Sequence, residues 1–321
     1  MSIAESDSPM DSEFPVFKFE RDHPTVPSEL WNVPAPPEHL YIQGDPNSLE
    51  ILKKLPEAGL AIVGTRNPQP RTCSFLEKRV FELSSSQLII VSGMARGIDA
   101  TAHAAALRAG LPTIGILGTG IDIPYPQASL HLRKQILKQG GLLVSEFHPG
   151  SRGFPSHFLE RNRLIAGWSK ATWVVEARHR SGALNTAHWA RQQDRLCFAL
   201  PSFPGDPTLS GNQILIDREH ALPFWGVHSL GAAWLELATQ GIGAPSRPAK
   251  ENVQLVRNAD AESLCLEVQK LTQSQGSAPV SELLNWAIHG GWPPDRFFTA
   301  LELGLKNKQI QDYFGNLIST C

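Results

Sequence analysis

The sequence is poor in the residues that would tie it to metals, disulfides or membranes. Four cysteines occur in 321 residues, at Cys73, Cys197, Cys265 and Cys321. None is spaced as C-x-x-C, which argues against a zinc site or a disulfide framework and suits a reducing, cytoplasmic setting. No apolar run is long enough to cross a membrane, and the acidic start lacks the apolar core of a signal peptide. The Walker A lysine motif and the G-x-G-x-x-G dinucleotide fingerprint are both missing. So are a legible Ser/His/Asp arrangement and a cluster of metal-ligating side chains. These absences point to a protein without a metal or organic cofactor.

What is present is charge of one sign in one place. The net charge is −2, yet residues 1–60 carry 4 basic and 11 acidic side chains, residues 61–260 carry 21 and 14, and residues 261–321 carry 4 and 6. Sixteen of the 21 central bases are arginine, the side chain whose planar fork suits phosphate. The central segment is therefore the candidate polyanion-binding face.

Residues 1–26 are acidic and rich in Ser, Asp and Pro, the composition of a disordered tail. A short strand is expected at 40–44 and a short helix at 49–55. From Leu60 apolar runs recur at 60–63, 88–91, 113–117, 142–144, 172–175 and 196–200. Helical stretches lie between them near 71–84, 98–109, 127–138, 161–168 and 182–193. Strand–helix alternation with continuously apolar strands predicts an α/β, Rossmann-like, doubly wound and mostly parallel sheet over 27–238. Residues 205–216 read as a further strand or loop and 227–237 as a helix. A Gly/Pro/Ser-rich linker is expected over 239–260. Residues 261–321 read as three helices, at 261–272, 280–288 and 294–303, followed by a strand or hairpin at 306–313. That is a small winged-helix-like domain, and its net acidity favours an accessory role over DNA reading.

In such a sheet ligands gather beyond the C-terminal strand ends. The loops there hold Gly64, Thr65 and Arg66; Ser92, Gly93, Arg96 and Gly97; Gly118, Gly120 and Tyr125; Glu146; Glu176; and Ser181 with Gly182. Two readings fit the Ser92–Gly97 stretch equally. It is an anion site whose free N–H groups open the next helix, or an ordinary tight turn. Arg66, Arg96, Arg161 and Arg163 are candidates for phosphate contacts. Tyr125, Phe147, His148 and Phe158 are candidates for base stacking; each also has a core-packing reading, which weighs more for Phe158 than for Tyr125. Asp99 and His103, four residues apart on one helix, read as loop-bracing groups before catalytic ones.

The ordered set Gly64-Thr65-Arg66, Ser92 to Asp99 with His103, Tyr125-Pro126, Ser145-Glu146, Phe158 with Arg161-Asn162-Arg163 to Gly167, Glu176-Ala177 and Ser181-Gly182 resembles the bacterial DNA-processing protein A (DprA/Smf) family over about residues 27–232. The resemblance implies single-stranded DNA binding at these loops, with Arg66 and Asn162 in the pocket. It also implies a homodimer, delivery of DNA to the RecA recombinase in natural transformation and recombination, and no catalysis. The winged-helix-like end resembles an extension that many members carry. Gln127 stands where a basic residue often follows Tyr-Pro, Trp168 replaces an aliphatic residue, and Asn185 interrupts the later Ser-Gly motif. An enzyme of another class, a nucleotide-processing phosphoribohydrolase, would share the superfamily, but its P-G-G-x-G-T-x-x-E motif is missing.

Overall fold

The computed structural model describes residues 13–84, 86–202, 206–224 and 262–273. It also describes the strand residues 2–3, 278–279, 310–313 and 316–319, and single positions at Leu283, Trp286 and Gly290. The chain divides into two compact units, Met1–Thr239 and Gln240–Cys321.

The first unit is built on one ten-stranded sheet. Its parallel centre holds β4 (Gly59–Val63), β5 (Ile89–Ser92), β6 (Thr113–Ile116), β7 (Leu142–Ser145), β8 (Ala171–Val174), β9 (Leu196–Ala199) and β10 (Leu222–Pro223), side by side in the order β7-β6-β5-β4-β8-β9-β10. Every residue of β4 to β8 is buried, as strands covered on both faces require. The helices α3 (Pro70–Glu82), α4 (Ile98–Arg108) and α5 (Leu130–Lys138) connect β4 through β7. The helices α6 (Pro155–Gly167), α7 (Ala183–Gln192) and α8 (Ser210–Asp217) connect β7 through β10. Leu76, Val80, Ile98 and Ala102 bury against Leu60, Ile62 and Ile90. Leu164, Ile165, Trp168 and Ala187 bury against Ala61, Val63 and Val174. Alternate residues of β4 thus face different layers, as the strand period demands. The doubly wound α/β expectation is met.

Three antiparallel strands extend this frame, and one corrects an expectation. β3 (His39–Gln43) pairs with β7, β2 (Val16–Glu20) with β3, and β1 (Ser2–Ile3) with β2. The disordered tail expected over 1–26 therefore gives way at Val16–Glu20. Phe17 and Phe19 are buried in the same cluster as Leu40 and Ile42, and that burial outweighs the polar surroundings. The short helix α1 (Ser28–Trp31) follows β2, and α2 (Ile51–Ala58) buries Leu52 and Leu55 in the cluster that holds Ala61, Ile89 and Val91.

Two other boundaries shift. α6 starts at Pro155 rather than 161, with proline at the first turn where its missing N–H costs nothing. Residues 210–217 form a helix rather than a strand or free loop. Asp206 caps the preceding turn by accepting the Thr208 N–H. Asn212, fully buried, donates to the carbonyls of Val174, Val175 and Leu200 and accepts the Ala177 N–H. One amide thus ties the ends of β8 and β9 together.

In the second unit a helix runs over 262–273, burying Leu264, Cys265 and Val268. β11 (Ala278–Pro279), β13 (Asn316–Ser319) and β12 (Ile310–Tyr313) form an antiparallel sheet in that order. The helices expected at 227–237, 280–288 and 294–303, and the linker at 239–260, lie almost wholly outside the described residues.

Trp168 gives a direct test of the layer behind β4. It is fully buried and its indole N–H donates to the Leu30 carbonyl at 2.8 Å. Trp168→Ala removes the hydrogen bond and leaves a large void, so chemical denaturation is expected to show a loss of about 3–5 kcal/mol.

Candidate functional site

The strand order places the site. After β4 the chain winds outward through β5, β6 and β7, then crosses back to lay β8 on the other side of β4. The loops leaving β4 and β8 diverge, and a crevice opens between them. A cleft of about 410 Å³ occupies that place. Gly64, Thr65 and Arg66 line it from β4, Ser181 and Gly182 from the loop after β8, and Phe158, Arg161 and Asn162 from α6. These eight residues, all singled out in the sequence, therefore meet in one cavity from three separate stretches of chain.

Backbone bonds hold the two lips in register. The Thr65 N–H donates to the Glu176 carbonyl at 2.7 Å, and the Ile98 N–H donates to the Thr65 carbonyl at 3.1 Å. The Glu176 carboxylate is buried and accepts the Gln69 N–H, which settles the first turn of α3. Gly97 has φ of +84°, and a Cβ there would lie 2.4 Å from the Thr65 oxygen. Only glycine meets both conditions.

The Ser92–Gly97 loop is built as a tight, internally braced turn. Ser92 is fully buried and its hydroxyl donates to the Ile62 carbonyl. The N–H groups of Gly93 and Ala95 both donate to Oδ2 of Asp99, at 3.2 and 3.4 Å. The Ile98 and Ala100 N–H groups donate to the carbonyls of Thr65 and Ala95. The chain supplies its own carboxylate to Gly93 and Ala95, which braces this turn. Ser92 and Gly93 are bracing residues. Gly118 and Gly120 lie outside the cleft lining. A Cβ on Gly118 would meet the Phe158 ring at 2.6 Å, so this glycine makes room for that ring, and Gly120 packs against the His148 carbonyl.

The arginines sort into two kinds. Arg163 is buried. Its fork is paired with both oxygens of Glu146 at 2.8 and 2.6 Å, and it also donates to the carbonyls of Pro34, Ala35 and Glu160. All five donors are engaged, so Arg163 is a structural clamp and not a phosphate contact. Arg161 is also buried, yet it borders the cleft. It donates to the Gly93 and Ile116 carbonyls and to Asn162 Oδ1. Burial lowers its pKa to about 10, with Asp99 pulling the other way, so it stays cationic at neutral pH. Asn162 Nδ2 donates to Asn185, the residue that departs from the family pattern. Arg66 and Arg96 are exposed. Arg96 donates to Asn67 at 3.1 Å. The Arg66 guanidinium sits over the Phe158 ring, 5.9 Å from its centroid. Arg66 makes no ion pair among the described residues. Glu146 and Glu176, the carboxylates it could have braced, have other partners.

Phe158 lines the cleft, with the half-exposed Tyr125 tilted over it at 4.9 Å. His148 instead bonds the Tyr41 hydroxyl at 2.8 Å. Thr186 and Leu159 also line the cleft. The sequence reading missed both: Thr186 sits inside a helical stretch rather than in a loop, and Leu159 lies in the part of α6 that precedes the helix expected at 161–168.

Asp99 and His103 flank this floor with opposite responses to acid. Burial raises the Asp99 carboxyl from 3.8 to about 6, against Arg161 and the two backbone N–H groups. Burial, with Arg161, lowers His103 from 6.5 to about 3. Its Nδ1 bonds Thr113 Oγ1 at 2.7 Å, and that hydroxyl donates to Ile90.

A family model for "DNA recombination-mediator protein A" matches residues 18–231. Protein Smf of Synechocystis sp. is 43% identical over 183 residues, covering 57% of this chain and 45% of that protein. DNA processing protein DprA of Streptococcus pneumoniae is 38% identical over 207 residues, covering 64% of this chain and 70% of that one. The match thus spans less than half the length of the Synechocystis relative. Among solved structures, DprA from S. pneumoniae aligns with TM-score 0.61 at 35% identity over 69% of this chain and 74% of that chain. DNA processing protein A from Helicobacter pylori, whose structure is described in terms of its single-stranded DNA binding mode, aligns with TM-score 0.59 at 26% identity over 69% and 96%.

The pH response separates the two buried groups. Between about pH 4 and 6 the native state keeps a proton on Asp99 that the unfolded chain has lost, so this contribution is present in acid and is lost as the pH rises through that window. His103 acts the other way: its contribution is lost as the pH falls from about 6.5 towards 3. Asp99→Asn removes the first and leaves the second. The melting temperature of the variant is expected to fall more steeply than that of the parent between pH 6 and pH 4, and parallel profiles would show that Asp99 titrates normally.

Proposed function

The chain belongs to the DNA recombination-mediator protein A family, and from that premise we propose that it binds single-stranded DNA in the cleft between β4 and β8 and passes it to the RecA recombinase. It works in the cytoplasm as a homodimer, in natural transformation or a related recombination. The observation that carries this reading is Arg66: an exposed guanidinium with no carboxylate partner among the described residues, lying over an aromatic ring at the edge of an open cleft. A single strand offers a phosphate to the cation and a base to a ring. Arg161 adds a fixed positive charge at the floor, and the open space beside Gly182 allows close approach. The role is binding and hand-over rather than catalysis. The carboxylate and imidazole nearest the cleft are engaged with the backbone and with Thr113.

The Arg66→Ala variant is expected to keep its melting temperature, because Arg66 braces no acid, and to lose roughly ten- to hundredfold in affinity for a single-stranded oligonucleotide. Arg66→Lys should recover part of that loss, since a point charge lacks the fork. Unchanged affinity in a gel-shift titration would refute the assignment of the cleft. Deleting residues 240–321, a net acidic segment, should leave most single-strand affinity intact; near-complete loss in a still folded truncation would move the DNA surface to the second unit.

A further inference from the structure

Six large apolar side chains are strongly exposed among the described residues: Phe81, Tyr125, Phe154, Leu159, Leu222 and Leu266. Three of them, Tyr125, Phe154 and Leu159, gather at the start of α6 and on the loop that packs against it. Phe154 is the residue before the first turn of α6 and is 59% exposed. Its ring is not loose. It meets His157 edge-on at 5.1 Å and 77°, and His157 lies flat on Phe147 at 4.2 Å and 12°. The stack is kept although His157 Nδ1 is buried there without a hydrogen-bond partner, an arrangement that costs stability. A ring held upright in water by such a buttress is pre-organised for a flat ligand.

Position says which ligand. Phe154 sits just before the helix that carries Phe158, and its neighbour Gly153 packs on the Phe158 ring, where a Cβ would lie 2.6 Å away. Phe158 is the ring beneath Arg66 in the cleft. Arg152, two residues before Phe154, is exposed and makes no ion pair among the described residues. Glu160, two residues past Phe158 on the helix, projects from roughly the opposite side. Aromatic faces alternating with cations make a nucleic-acid path, whereas a protein-docking surface has an apolar centre depleted in charge.

We propose that Phe154 is a second stacking platform, on which a base of the same single strand rests after leaving the cleft, with Arg152 meeting the adjoining phosphate. The proposal rests on the reading of the cleft as the single-strand site and extends that site along the first turn of α6. The full-length protein and its Phe154→Ala variant are to be titrated with oligothymidylates of about four and about twelve nucleotides, lengths within the span of single-strand sites, at several salt concentrations. The expected result is about tenfold weaker binding of the longer strand by Phe154→Ala. Binding of the shorter one should be unchanged, and so should the salt slope, because a stack carries no phosphate. Phe154→Trp should restore the loss. Equal affinity of parent and Phe154→Ala for the longer strand overturns the platform while leaving the cleft standing. Failure of the parent to bind either strand overturns the cleft and the platform together.

Discussion

Two parallel neighbours, β4 and β8, send the chain in opposite directions, and the site follows from that one constraint. A parallel pair cannot be joined by a hairpin, so each strand end must release its chain into a helix on one face or the other. Where winding reverses, no helix lies across the strand ends. The Gly64–Arg66 and Ser181–Gly182 loops are left as the two lips of a crevice. Everything around it serves to keep those lips apart yet fixed. Thr65 is bound to Glu176 on one side and to Ile98 on the other, Glu176 steadies the start of α3, and Asn212 locks the ends of β8 and β9 from behind.

The electrostatic layout depends on the same frame. Burying a charge is tolerable only when its donors or acceptors are met. Arg163 with Glu146 and Asp99 with the Gly93 and Ala95 N–H groups are charges of that kind. They hold the loops and face inward. Arg66, Arg96 and Arg152 stay exposed. The positive excess of the central segment thus divides between a structural set and a free set. The cleft is positive because the acids near it are consumed by the fold, not because acids are missing.

The alternation of apolar runs with helical stretches, a local property of the chain, determined the parallel α/β frame, and the strand positions agree to within a residue or so. The same pattern determined which loops reach the rim, and hence that Gly64, Thr65, Arg66, Arg161, Ser181 and Gly182 are candidates, while Asn162 entered through the family resemblance. It misread segments whose fate hangs on distant partners. Val16–Glu20 alternates as a strand should, but it sits in acidic, Pro-rich chain, and only the edge of β3 gives it a surface to bury Phe17 and Phe19. Residues 210–217 carry an apolar triplet that suits a strand, yet Asn212 needs three carbonyls from two other strands to be buried.

Which of the rim residues face the cleft was decided by tertiary structure alone. Arg161 and Arg163 are two positions apart on one helix, so they point to different sides; one borders the cleft and the other clamps Glu146. Nothing in their sequence context separates them, because an arginine's role is set by whether a carboxylate reaches it. The same holds for the Ser92–Gly97 loop, whose glycines suit a phosphate and a tight turn alike until Asp99 folds back onto Gly93 and Ala95. Sequence fixes residue type and local period; the competition for hydrogen-bond donors is settled only when remote segments meet.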